Sequence, residues 1–231
     1  MKKIGLIGAM EEEVNILKDE MTLKEIVKKA KLDFYVGSLK GADIVIVRSG
    51  IGKVNAAMAT QILVSDFNVD VLINTGVAGG IKPDIKVGDI VISSDTMEYD
   101  IDVTAFGYEP GIIPRMEESI FKADEKLVEL AKKVAKNIVE GRAYVGRIIS
   151  GDKFVSSKEE AKRLGKVFNA YAVEMEGAAI AHVAFLNSIP FVIIRSISDN
   201  ANEEASIDFN TFIEQAAKSS TKIVSEMVKL L

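Results

Sequence analysis

The sequence predicts an α/β domain with a central mixed sheet flanked by helices, and three observations support that prediction. Short, nearly all-apolar runs such as Lys3–Gly8 and Ile44–Val47 alternate with segments of helical periodicity. Phe34 to Val47 alternates and carries Lys40-Gly41-Ala42-Asp43 between two apolar runs, a hairpin signal that makes the sheet mixed. No linker, internal repeat or low-complexity stretch interrupts the 231 residues, so one domain over 1–231 is expected.

Taken in order, Lys3 to Gly8 is the opening strand, and Gly8-Ala9-Met10 leads directly into Glu11-Glu12-Glu13 and an amphipathic helix. Acidic residues in a first helical turn complement the macrodipole. Three adjacent residues cannot share a helix face, which leaves room for one functional member. The basic run Lys24 to Lys31 reads as a solvated helix face. Ser49-Gly50-Ile51-Gly52-Lys53 joins a strand to the helix Val54–Val64. It lacks the dinucleotide and Walker A patterns, so it reads as a tight connection and not as a phosphate site.

Val69 to Asn74 is another buried strand. It is followed by Thr75-Gly76-Val77-Ala78-Gly79-Gly80, where small residues let the backbone approach a neighbouring strand or a ligand. Ala78 and Gly79 are candidate contacts there. Val87 to Ser93 is a further strand. Thr96 to Phe121 is long and irregular, with Phe106, Tyr108, Pro110, Gly111 and Pro114, and such loops are functional or interfacial. Lys126 to Val139 is a helix with a solvated lysine face, and Tyr144 to Ser150 is a strand running into Gly151-Asp152-Lys153-Phe154-Val155. Ser156 to Glu160 starts a helix. Phe209, Phe212, Ile213, Ala216, Ile223, Met227 and Leu231 mark a closing helix, with Asp208 as its cap.

Composition narrows the chemistry. Hydrophobic residues make up 48% of the chain, enough for a substantial core. A net charge of −5 with mixed signs argues against a nucleic-acid or anionic-membrane surface. The chain has no cysteine, which removes disulfides, thiolate zinc sites and cysteine nucleophiles. The single histidine, His182, sits in an apolar helix and reads as structural. Triads and clustered-histidine metal sites therefore lack support, and neither metal nor cofactor is expected. The apolar run before Glu11 is too short for a signal-peptide core, and no run has transmembrane length; a soluble, cytoplasmic chain is expected.

Carboxylates, hydroxyls, arginine and backbone groups remain. Between Ala170 and Asn202, one apolar run closes on Glu174-Met175-Glu176, and a second passes through Arg195-Ser196-Ile197-Ser198 to Asp199. Burying a carboxylate at a strand end is costly unless it is paired or used. Taken singly, these acids fit helix starts or turn caps equally well. The functional reading gains because Glu13, Glu174, Glu176 and Asp199 follow three separate strands, where α/β sheets gather ligands. Separated carboxylates in one cleft suit a reaction that needs an acid and a base, such as cleavage at a sugar's anomeric carbon.

The segments GAMEEEV, SGIGKVNAA, NTGVAGG, GDIV, DVTAFGY, SGDKF, VEMEGAAIAHV and RSISD, in this order, resemble the 5′-methylthioadenosine/S-adenosylhomocysteine nucleosidase family. The resemblance covers essentially the whole chain. It implies a nucleoside phosphorylase-like, three-layer α/β/α sandwich that binds small adenine nucleosides without a cofactor. It also implies that Asp199 protonates adenine N7, with Ser198 orienting it, while Glu13 positions and activates water. Glu176 would hold the ribose hydroxyls, Met175 would pack on the sugar, and Arg195 would order Glu13, the water or the ribose side. Phe154 would stack on adenine and the backbone of Val155 would read the purine edge. Ile51 and Phe209 would enclose the 5′-thio substituent. Phe106 and Pro114 would complete a neighbouring subunit's site, which implies a homodimer. Val77 departs from the family, which commonly has a small hydroxyl residue there.

Two other functions compete. A phosphorylase of the same fold would use phosphate, which a carboxylate at Glu13 would repel. A nucleoside sensor would not need both Glu13 and Asp199.

Overall fold

The computed structural model describes residues 2–139, 142–202 and 205–231. β1 (Lys3–Gly8) is buried beyond its first residue. In α1 (Glu11–Glu20) the acidic triplet fills the first turn, and of the three only Glu13 is buried. β2 (Thr22–Lys29), β3 (Leu32–Leu39) and β4 (Ala42–Arg48) form an antiparallel meander. Its turns are Ala30-Lys31, with φ of 47° and 62°, and Lys40-Gly41, with φ of 50° and 91°. Paired positive φ angles define the turn whose twist matches that of the flanking strands.

β2 corrects one expectation. Lys24 to Lys31 is an edge strand and its turn, not a helix face, because the reversal at Ala30-Lys31 lays the run against β3 from Lys29↔Leu32 to Thr22↔Ser38. The run is solvated as expected, and lysines on an edge strand discourage further pairing.

β4 runs parallel to β1, so the sheet is mixed. α2 (Lys53–Ser65) leads to β5 (Val71–Gly80), all of whose residues are buried. β5 does not stop at Asn74, where its pairing with β1 ends, but continues through the small residues alongside β10 and, at Gly79 and Gly80, β9. β6 (Ile90–Glu98) starts later and ends later than the expected 87–93. Its pairing with β8 resumes beyond a bulge between Ser93 and Thr96. Residues 99–120 are irregular apart from a 3-10 turn at Thr104–Phe106, and then comes the short β7 (Phe121–Lys122).

α3 (Glu125–Ile138) is capped by the Asp124 carboxylate, which accepts from Lys126 N and Leu127 N. β8 (Ala143–Ser150), α4 (Lys158–Phe168), β9 (Ala172–Glu174), α5 (Gly177–Leu186), β10 (Phe191–Asp199) and α6 (Ala205–Val228) complete the chain. α6 begins upstream of the expected start, so Asp208 lies in its first turn and does not cap it.

The strand order is β10-β6-β8-β9-β5-β1-β4-β3-β2, and β10 also pairs with β5. β5, β10, β6, β8 and β9 thus close on themselves while the other strands open out as a twisted sheet. α1, α3 and α6 pack on one face and α2 with α5 on the other, the expected three layers. A main core of β1, β4, β5 and β10 residues such as Leu6, Val45, Ile73 and Ile193 fills the sheet. A second cluster, with Tyr99, Ile149, Val155, Leu164 and Phe168, lies beneath α4. Closure brings the ends of β5, β8, β9 and β10 together.

Candidate active site

Arg195 is buried to 1% exposure, and a guanidinium that deep requires anionic partners. β10 sets it opposite Gly76 of β5. Its Nη2 pairs with Glu174 Oε2 and lies 3.7 Å from Glu176 Oε2. Burial works against its charge, yet Glu174, Glu13 and Glu176 together hold its pKa above the ordinary arginine value. Its Nε and Nη1 make no hydrogen bond among the described residues.

Glu13 reaches this cluster from the opposite end of the chain. Its Oε2 accepts from Ala9 N at 2.6 Å and Met10 N at 3.0 Å, and its Oε1 accepts from Val77 N at 3.1 Å. Burial raises its pKa despite the nearby Arg195 charge and those three N–H groups. Gly76 is what lets these side chains meet. A Cβ there would lie 2.5 Å from Glu13 Oε1 and would collide with Arg195 Nη1. Glu176 precedes α5, and its Oε1 accepts from Gly52 N at 2.8 Å. Burial, then the Glu174 charge, push its pKa up to about 8. The Ser49–Lys53 turn therefore does present an N–H to an anion, and the anion is the chain's own carboxylate.

Asp199 ends β10 at 2% exposure. The register against Ala78 and Gly79 shifts between Ile197 and Asp199, a bulge of the kind that re-aims a side chain. Ser198 Oγ donates to Asp199 Oδ2 at 2.9 Å, and Ala201 N donates to Oδ1 at 2.8 Å. Burial nonetheless raises the Asp199 pKa, and the Asp208 charge adds to it. A Cβ on Gly79 would approach Asp199 Oδ1 to 3.0 Å, which accounts for the glycine.

The remaining candidates divide. Phe154 is exposed and meets the Phe209 ring edge-on, with centroids 5.8 Å apart. Phe209 also packs with Val77, Met10 and Ala216, so the aromatic pair adjoins the Glu13 side. Met175 is half-buried between its two glutamates and Ile51 is exposed at the glycine turn. The Val155 side chain is buried beneath α4. Phe106, at 82% exposure, and Pro114 are not brought to the cluster by any contact among the described residues. Gly52, Gly76 and Ser150 were not anticipated as site residues. Gly76 had a readable signal, a glycine in an otherwise apolar strand, but Ser150, whose Oγ donates to Glu174 Oε1, is placed there by the register of two parallel strands. Among the described residues, no group of three or more His, Cys, Asp or Glu could hold a metal ion.

The whole chain resembles known proteins in sequence and fold. The family model of the phosphorylase superfamily matches residues 3–229. A 5′-methylthioadenosine/S-adenosylhomocysteine nucleosidase of an Exiguobacterium species is 47% identical, covering 99% of this chain and 98% of that one. The Neisseria meningitidis nucleosidase of the same name, solved in complex with methylthio-immucillin-A, superposes with a TM-score of 0.96 at 44% identity, covering 100% of both chains. The futalosine hydrolase of Helicobacter pylori superposes with a TM-score of 0.94 at 36% identity, covering 100% of this chain and 98% of that one. The chain belongs to the phosphorylase superfamily and, within it, to the 5′-methylthioadenosine/S-adenosylhomocysteine nucleosidase family.

Proposed function

We propose that the chain hydrolyses the N-glycosidic bond of 5′-methylthioadenosine and S-adenosylhomocysteine, releasing adenine and the 5-thioribose product, in cytoplasmic methionine salvage. The observation that carries this reading is a pair of buried carboxylates, Glu13 and Asp199, flanking the small-residue end of β5 with raised pKa values. Burial favours the protonated form of Asp199, which suits it to deliver a proton to adenine N7, so that the base leaves without negative charge. As the bond lengthens, positive charge grows on the ribose, and Glu13 takes a proton from the attacking water. Glu176 accepts from the ribose hydroxyls. The unpartnered N–H groups of Arg195 are donors for the water or the sugar.

Water is preferred to phosphate because the one buried arginine of the cluster already faces the carboxylates of Glu13, Glu174 and Glu176, which leaves its charge committed and not free to bind an anionic nucleophile. The likeness to a futalosine hydrolase keeps futalosine-type nucleosides as alternative substrates for the same chemistry.

The proposal extends to a homodimer. Val54 and Leu186 are 79% and 65% exposed, and with Ala57, Ala179 and Val183 they form the apolar part of a groove of about 440 Å³ that Lys53, Glu98, Asp152 and His182 also line. A second copy seated there would cover that face and set Phe106 and Pro114 against its partner's site.

The test is incubation with 5′-methylthioadenosine in phosphate-free buffer. Adenine release supports the hydrolase. Release only with added phosphate, or tight binding without turnover, overturns it.

A further inference from the structure

Glu174 is one of the four acids nominated for the site, as a substrate-binding candidate, but its carboxylate is fully engaged inside the protein. Oε1 accepts from Ser150 Oγ, and Oε2 accepts from Glu176 N at 3.1 Å, Gly177 N at 2.7 Å and Arg195 Nη2. Ser150 is buried at 0% exposure at the end of β8, where parallel pairing sets it beside Glu174 of β9. Its Oγ also accepts from Ala178 N at 2.6 Å. Ser150 and Glu174 therefore satisfy the first N–H groups of α5, which have no partner within the helix. Their grip on Arg195 goes beyond capping. It holds Nη2 on the β9 side, so that Nη1 lies over Gly76 next to Glu13 Oε1 without a direct ion pair between the two residues.

We infer that Glu174, braced by Ser150, is a positioning residue that keeps Arg195 from pairing with Glu13 and leaves the guanidinium edge directed at the reacting water and sugar. Among the described residues, the charged groups facing Arg195 are Glu174 from β9, Glu13 from α1 and Glu176 ahead of α5. With Glu174 neutralised, the guanidinium turns to Glu13, the nearest remaining anion over Gly76. Glu13 is then stabilised as a carboxylate and becomes a weaker base toward water.

This inference rests on the proposed hydrolysis, and the experiment separates the two. The pH dependence of kcat/KM for adenine release from 5′-methylthioadenosine is measured for the wild type, Glu174→Gln and Ser150→Ala, with thermal unfolding to confirm that each is folded. Wild type that releases no adenine removes the reading of function itself. If wild type is active, Glu174→Gln should lower kcat roughly tenfold to a hundredfold with little change in KM. Its acid limb should move down by about one pH unit, because removing one carboxylate and freeing Arg195 both favour ionised Glu13. Ser150→Ala should move the limb in the same direction by less. A rise in KM that accounts for the loss, with the limb unmoved, would return Glu174 to substrate binding. Lowered stability alone, with wild-type limbs in both variants, would reduce the pair to a helix cap. Either result overturns the inference.

Discussion

The Val77 N–H donates to Glu13 Oε1 at 3.1 Å, so the residue after Gly76 holds the buried carboxylate through its backbone alone. Its side chain packs instead with Ala216, Ala217 and Phe209. Val77→Ser keeps the backbone bond and exchanges buried methyl groups for a hydroxyl. It should lower stability by about 1–2 kcal/mol and leave kcat/KM within roughly tenfold, since no catalytic bond is lost. Denaturant melts and adenine release check the two halves. A change above a hundredfold would mean that the side chain matters to the reaction.

Gly76→Ala should be far more damaging than its single methyl group suggests. The added Cβ lands 2.5 Å from Glu13 Oε1 and against the guanidinium, both held by buried bonds. Activity should fall about a hundredfold or more, with about 1–3 kcal/mol of destabilisation. Near-normal turnover in a folded variant would show that the cluster tolerates displacement.

Asp199→Asn and Glu13→Gln should each remove roughly 10²–10⁴ of the rate. Both are near-isosteric, so the fold should survive, as circular dichroism would show. Asp199→Asn loses the transferable proton, and Glu13→Gln loses the base. Substantial turnover by either variant would sink its assigned role.

Stability should fall as pH rises from mildly acidic to mildly alkaline. Glu176, Glu13 and Asp199 all have folded-state pKa values above their ordinary ones, so each binds its proton more tightly folded than unfolded. The stability linked to such a group is fully present below its unfolded pKa and is lost as pH climbs through the folded one. For Glu176 that window runs from 4.5 to about 8. Ligand-free protein should melt higher at pH 5 than at pH 8, and Glu176→Gln should shrink the difference. An unchanged difference would exclude Glu176 as its source.

Leu186→Glu should convert a dimer to a monomer by placing a charge on the apolar groove between α2 and α5. Sedimentation equilibrium reads the change directly. Phe106→Ala should leave the assembly intact but raise KM, because its ring is assigned to the partner's pocket. A wild-type monomer would remove both expectations.

Much of the site could be read from the chain because its parts lie in contiguous motifs. In Glu11-Glu12-Glu13 the helix-face argument left room for one functional member, and burial selects Glu13. Asp199 ends one strand and Glu174 and Glu176 bracket one strand-to-helix junction, so local patterning was enough to nominate these acids, whereas Arg195 entered only through the family resemblance. The basic run at Lys24 failed as a helix because charge pattern alone does not distinguish a solvated helix from a solvated edge strand. The two-residue turn at Ala30-Lys31 decided that.

Apart from β2 and the short β7, the sequence by itself determined the alternation of strands and helices, the buried runs and the identity of the acids, since these follow from local periodicity and side-chain chemistry. Only the tertiary structure decided which acids share an arginine, that β5 continues to Gly80 with β10 and β9 beside it, and that Ser150 stands behind Glu174. Those relationships are set by strand register and sheet closure, which join residues as far apart in the chain as Glu13 and Arg195. Burial then makes each pairing a matter of charge, because a carboxylate removed from water must find a cation, a hydrogen-bond donor or a proton.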